Sequence, residues 1–164
     1  MTRPWYDDLS VDRPKAQPIS RITKNLYLGD ADAARDEKLL DSRKIVGILN
    51  ATEKGEVDNH FPTKYMYYNL HIRDEEQSDM TVHLLSACNF IHRRRMQGKA
   101  VLVHCGRGVS RSATIVVAYL MYAHRMRWYH ALAHVKKRRP VVDPNRGFLA
   151  QLGRWKPPPV KQWH

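Results

Sequence analysis

Only two cysteines, Cys88 and Cys105, stand among the 164 residues. That is too few for a disulfide framework, so an apolar core must hold the chain together. Acidic residues are scarce as well: 16 Asp and Glu face 28 Lys and Arg, a formal charge of +12 that biases the chain toward anionic partners. No apolar run reaches the roughly 18 residues of a membrane span, and there is no signal-peptide pattern, Met-Gly start or C-terminal lipid-acceptor cysteine. A soluble protein of the cytoplasm, the nucleus or both is the expectation. Repeats and a second domain are also lacking, while 43% apolar content and four tryptophans argue against disorder. Prolines gather near the ends, at Pro4, Pro14 and Pro18 and again at Pro157, Pro158 and Pro159. Residues 1–18 and 156–164 therefore read as extended tails around one domain spanning 19–155.

What the chain does carry is concentrated in residues 103–114, V-H-C-G-R-G-V-S-R-S-A-T. The apolar run ending at Val103 reads as a buried strand and the run from Ala113 to Met121 as a helix, so a short loop joins a strand to a helix N-terminus. Such a loop is a natural anion site, because its N–H groups and the helix dipole favour negative charge. Cys105 is the candidate nucleophile. A thiol attacks only as thiolate, a free one ionises at about 8.5, and the loop supplies the bias toward ionisation. Gly106 and Gly108 are expected in tight positive-φ turns that let the backbone close around phosphate oxygens. Arg107, Val109 and Ser110 complete the phosphate-binding loop. Arg111 can grip two phosphoryl oxygens through parallel hydrogen bonds and keeps its charge at any working pH. Ser112 is placed to reach the Cys105 sulfur and stabilise it as a leaving thiolate, and His104 to order the loop from behind.

Elsewhere the pattern alternates strands and helices: strand-rich to about Asn50, a strand near 65–70, a helix over 81–96, the Cys105 strand, then three helices. The fold class is α/β, with a central mixed, mostly parallel twisted sheet flanked by helices. Cys88 falls with Val82, Leu85 and Ile91 on what reads as the apolar face of the 81–96 helix, a core position. An acidic stretch, 74–79, follows the 65–70 strand and offers Asp74, Glu75, Glu76 and Asp79 as proton donors to a leaving oxygen. Asp79 directly precedes the helix and reads better as its N-terminal cap. Arg93-Arg94-Arg95 and Lys136-Lys137-Arg138-Arg139 close two helices, where cations suit the C-terminal dipole, and the second run also has the form of a nuclear-import cluster. Asn145, in the turn Asp143-Pro144-Asn145, admits a plain turn role or a bracing one.

The Cys-x5-Arg spacing resembles the signature of the cysteine-dependent protein tyrosine phosphatases, and the trailing S-R-S-A-T resembles their dual-specificity branch. Five further segments resemble that branch in order: 22–29 (I-T-K-N-L-Y-L-G), 45–52 (I-V-G-I-L-N-A-T), 118–121 (A-Y-L-M), 135–140 (V-K-K-R-R-P) and 144–152 (P-N-R-G-F-L-A-Q-L). The resemblance implies an atypical, single-domain dual-specificity phosphatase that needs no metal or cofactor. It implies a cysteinyl-phosphate on Cys105, and places the general acid at Asp74 through its Ile-x-Asp pattern. Asn145 corresponds to a residue that braces the phosphate loop. A long tyrosine-capped recognition loop is missing, which implies a shallow pocket open to phosphotyrosine, phosphothreonine and phosphoserine of a phosphoprotein, acidic ones included. The +12 charge and Arg107 keep RNA 5′-triphosphates and anionic phosphoinositide lipids in view as alternative substrates. A phosphopeptide-binding scaffold is disfavoured, because Cys105, Arg111 and Ser112 are all present.

Overall fold

The structure is a computed structural model and describes residues 16–163. Most of the N-terminal tail expected from the sequence, residues 1–15, lies outside the described residues. Five strands form one sheet: β1 (Ile19–Thr23), β2 (Leu26–Gly29), β3 (Ile45–Asn50), β4 (Met66–Asn69) and β5 (Ala100–His104). Their order is β1-β2-β5-β3-β4, with β1 antiparallel to β2 and every other pairing parallel. This is the mixed, mostly parallel sheet that the alternation predicts. β5 is apolar from Ala100 to Val103 and buried along its whole length to His104, as a strand flanked on both edges and both faces must be.

Alternate residues of β5 serve two cores. Val101 and Val103 face the larger one, with α3 (Thr81–Met96), α4 (Arg111–His124), α5 (Trp128–Arg138) and α6 (Arg146–Arg154). Ala100 and Leu102 face a smaller one, with Ala33 of α1 (Ala31–Ala34) and Leu40 of α2 (Glu37–Ser42). These first two helices are absent from the sequence expectation, being too short to show a 3.6-residue period. Their signal is the cap: Asp30 Oδ1 accepts from Ala33 N at 2.9 Å and Asp36 Oδ1 from Leu39 N at 3.0 Å.

The bounds expected for α3 match, but its buried face is turned from the expected one. Cys88 and Ile91 are buried with Leu84 and Ala87, whereas Val82 is 69% and Leu85 41% exposed. The stripe follows i, i+4, i+7 through Leu84, Cys88 and Ile91, so Cys88 is core by a different register. In this environment burial pushes the Cys88 thiol well up from its ordinary value. Among the described residues no helix is long and apolar enough to cross a membrane.

The parallel strands fix where a site can form. Gly29 and Asn50 both align with His104, so the chain leaves β2, β3 and β5 at one edge of the sheet. β5 is also where the strand order reverses, with β2 on one side and β3 on the other. Ligand crevices of open α/β sheets lie at such a point.

The proline-rich end, residues 156–163, has no regular secondary structure and lies against the domain. Arg125 Nη1 donates to the Pro157 and Pro158 carbonyls at 3.2 and 3.3 Å, and Lys161 N donates to Tyr122 Oη at 2.8 Å. Val160 and Trp155 pack on the larger core. Replacing Tyr122 with Phe removes the acceptor for Lys161 N and the donor to Asn89. Urea unfolding should show a loss of about 1 kcal/mol, and amide exchange should quicken at Lys161 but not in β5.

Candidate active site

Residues 105–110 turn the chain from the end of β5 into α4, and the carbonyl groups of this loop are all held from outside. Gly106 O accepts from Ala31 N at 3.0 Å, Val109 O from Asp143 N at 2.9 Å and Ser110 O from Thr114 N at 2.9 Å. Arg139 Nε donates to Gly108 O at 2.9 Å and Arg139 Nη2 to Arg107 O at 3.3 Å. His104 Nδ1 lies 3.2 Å from Cys105 O. With the carbonyls held outward, the loop amides are left to converge on an anion, the arrangement of a backbone nest.

The two loop glycines differ. Gly108 has φ +65°, and a Cβ there would lie 2.6 Å from Gly29 O and 2.7 Å from Arg139 Nη2. Both conformation and space demand glycine. Gly106 lies outside the left-handed region, contrary to expectation, and its role is close approach: a Cβ would sit 3.0 Å from Glu56 Oε1.

Cys105 and Arg111 are buried, and Cys105 Sγ lies 3.0 Å from Ser112 Oγ, the pairing expected for a stabilised thiolate. Arg111 is fixed by a residue that no motif pointed to. Its Nη1 and Nη2 donate to Glu56 Oε2 and Oε1, both at 2.6 Å, and Nη1 donates to Ile72 O at 3.1 Å. Glu56 is 55 positions away, on the loop between β3 and β4, and the Arg111 hydrogen bonds hold its carboxyl below the usual range. With these donors committed, Arg111 Nε is buried without a partner among the described residues. A buried guanidinium N–H beside the nucleophile needs an acceptor, and a phosphoryl oxygen is of the right kind.

The acidic loop 70–79 closes the other side. Asp74 Oδ1 accepts from Asn145 Nδ2 at 3.0 Å. Asn145 also donates its N–H to Ser110 Oγ at 3.0 Å and caps α6 by accepting from Phe148 N at 2.9 Å. The turn and bracing roles of Asn145 are thus combined, and one residue ties the phosphate loop to the acidic loop. Asp79 accepts from Thr81 N and from the Thr81 hydroxyl at the start of α3, which holds its carboxyl below its usual value. Its place is the helix end, whereas Asp74 is linked through Asn145 to the phosphate loop.

Residues 26–157 match the family described as "Dual specificity phosphatase, catalytic domain". The chain belongs to that family. It is 44% identical over 133 residues to protein phosphatase Slingshot homolog 3 of Mus musculus, covering 81% of this chain and 20% of that protein. It is 41% identical over 133 residues to dual specificity protein phosphatase 1 of Arabidopsis thaliana, covering 81% of this chain and 66% of that protein. The chain thus spans about a fifth of the length of its Slingshot relative. Among solved structures, it resembles human tyrosine phosphatase-like serine/threonine/tyrosine-interacting protein with a TM-score of 0.79 and 32% identity, over 82% of this chain and 92% of that one.

Within this dual-specificity domain, the basic clusters take unexpected places. Arg139 is no surface cation of an import run or helix end: it is 1% exposed and lies beneath the phosphate loop. Besides the loop carbonyls it donates to Gln17 O at 2.6 Å and Ser20 Oγ at 3.1 Å. The chain turns inward there because the loop carbonyls offer acceptors that water cannot reach. Burial lowers the Arg139 pKa, and Asp30 and Cys105 act the other way. Arg95 donates to Lys24 O at 3.0 and 2.7 Å and to Tyr119 Oη at 2.9 Å, while Arg94 stacks on Phe90 with 3.9 Å from Cζ to the ring centroid. Both sit where α3 returns to the start of β5, about 16 Å, one five-residue strand, from the phosphate loop. Arg139→Lys keeps the charge but not the fork that spans two carbonyls. Inhibition by inorganic phosphate should weaken about tenfold, with far-UV circular dichroism unchanged.

His104 is buried, and desolvation pushes its pKa down from 6.5 to about 4. The unfolded chain therefore binds a proton between those values that the folded one refuses. Stability should fall as pH drops through this window, by about 3 kcal/mol, with no further contribution below it. In urea unfolding across the window, His104→Gln should flatten the slope.

Proposed function

We propose that this domain hydrolyses phosphate monoesters of tyrosine, threonine and serine in proteins through a cysteinyl-phosphate on Cys105. The observation that carries the reading is the buried Nε of Arg111, unpartnered among the described residues, in the same loop-to-helix segment as a cysteine whose sulfur contacts Ser112 at 3.0 Å. Cys105 Sγ attacks phosphorus as the ester P–O bond breaks, and Asp74 gives its proton to the departing oxygen. Arg111 Nε and the loop amides hold the equatorial oxygens, where charge is greatest in the transition state. Asp74, now a carboxylate, takes a proton from water as the water oxygen attacks phosphorus. The S–P bond breaks and the thiolate leaves toward the Ser112 hydroxyl, so one ester and one water give one alcohol and one inorganic phosphate.

A protein substrate is favoured over polyanions because Arg94, Arg95 and Arg139 are engaged in internal hydrogen bonds or ring contacts rather than arrayed at the pocket. Phosphotyrosine and phosphothreonine peptides, a phosphoinositide and a 5′-triphosphate RNA, offered without metal, form the test. Both peptides should release phosphate, and Cys105→Ser should lower that release at least about a thousandfold while retaining peptide binding. Peptide turnover by Cys105→Ser, or release from RNA or lipid alone, would sink the proposal.

A further inference from the structure

We infer that Gln151 is a positioning residue that, together with Gly147, fixes the 70–79 loop against α6 so that Asp74 is in place before substrate arrives. The inference rests on the proton-donor reading of Asp74. The loop runs without regular secondary structure from the end of β4 to the start of α3, and residues 73–77 are exposed. Its first residues are anchored, Leu70 N donating to Asn50 O at 3.0 Å and Ile72 O accepting from Arg111 Nη1 at 3.1 Å. Beyond Ile72 its own ties are local or exposed: Ser78 N donates to Glu75 O at 3.1 Å, Gln77 Nε2 donates to Glu75 Oε2 at 2.9 Å, and the Arg73–Glu53 pair at 2.8 Å is exposed. An exposed pair of this kind contributes little rigidity.

Helix α6 supplies what the loop lacks. Phe148 and Leu152, one turn apart, are fully buried in the core, and the adjoining stripe of Gly147 and Gln151 faces the loop. Gln151 Oε1 accepts from Met80 N at 2.7 Å, and Gln151 Nε2 donates to Ser78 O at 2.8 Å. A side-chain amide can do both at once; a carboxylate cannot donate, and an ammonium cannot accept. Four residues earlier the backbones nearly touch: a Cβ on Gly147 would lie 1.9 Å from Glu76 O. No side chain fits unless the loop moves away from the helix. Asn145 then reaches Asp74 at 3.0 Å from the residue just before the same helix. One rigid element thus meets the loop at Asp74, Glu76, Ser78 and Met80, every second residue along it. Because Asn145 also binds Ser110 Oγ, the frame that places the acid is the frame that holds the phosphate loop.

A proton donor matters most when the leaving oxygen is strongly basic. The test is therefore the dependence of kcat/KM on leaving group, measured on aryl phosphates from nitrophenol to unsubstituted phenol, for the wild type, Asp74→Asn, Gln151→Leu, Gln151→Glu and Gly147→Ala. Asp74→Asn should steepen the dependence sharply. Gln151→Leu and Gly147→Ala, one losing hydrogen bonds and the other inserting a methyl wedge, should both steepen it, losing about tenfold on phenyl phosphate and markedly less on nitrophenyl phosphate. Gln151→Glu, which keeps the acceptor for Met80 N but loses the donor to Ser78 O, should fall between wild type and Gln151→Leu. Inhibition by inorganic phosphate, which reads the Cys105 loop, should shift less than twofold in Gln151→Leu. An equal loss on every ester, or an unchanged dependence in both Gln151→Leu and Gly147→Ala, would overturn the inference while leaving the proton-donor reading intact. An unchanged dependence in Asp74→Asn would instead overturn that reading and the inference with it.

Discussion

A phosphate loop has to turn its amides inward, and peptide geometry then turns its carbonyls out toward the protein, where each must find a donor. The surroundings of residues 105–110 follow from that need. The N-terminus of α1 meets Gly106 O, the turn before α6 meets Val109 O, and the buried Arg139 takes Arg107 O and Gly108 O. Segments from both ends of the chain are drawn to a single six-residue loop. Arg139 is an unusual choice, a cation without a carboxylate in hydrogen-bonding contact among the described residues, and burial works against its charge. Neutral donors would satisfy the same carbonyls; a guanidinium also places positive charge behind the sulfur of Cys105.

The surplus of positive charge reads differently once its partners are known. From Met80 to Val142 the chain has no Asp or Glu, yet it carries most of the arginines that matter to the fold. They turn to carbonyl dipoles and ring faces instead: Arg95 to Lys24 O and Tyr119, Arg94 to Phe90, Arg125 to the proline carbonyls, Arg139 to the loop. Among the described residues Arg111 alone finds a carboxylate from this stretch, and it does so across 55 positions. A net charge of +12 is therefore in part a count of internal hydrogen-bond donors.

How much could be read beforehand depends on how local each cause is. The bounds of α3 and the buried β5 are written in periodicity, and they appear where the pattern puts them. The face that α3 buries is not written there, because Val82 and Leu85 are as apolar as Leu84 and only the neighbouring layer chooses between them. Gly106 and Gly108 look alike in the sequence, yet one serves a positive φ and the other a close carboxylate. Lys136, Lys137, Arg138 and Arg139 look alike as well, and only the last is buried.

By itself the sequence determined the chemistry of the nucleophile loop. Cys105, Arg111 and Ser112 stand within eight positions of one another, between a strand and a helix, so backbone geometry alone brings sulfur, hydroxyl and guanidinium together. Tertiary structure decided what steadies that loop and what faces it. Glu56, Arg139, Asn145 and Gln151 act across 31 to 73 positions, and their partners are mostly backbone atoms or side chains on other elements. A hydrogen bond between distant segments depends on how sheet and helices pack, and packing is a property of the whole core that no short pattern encodes.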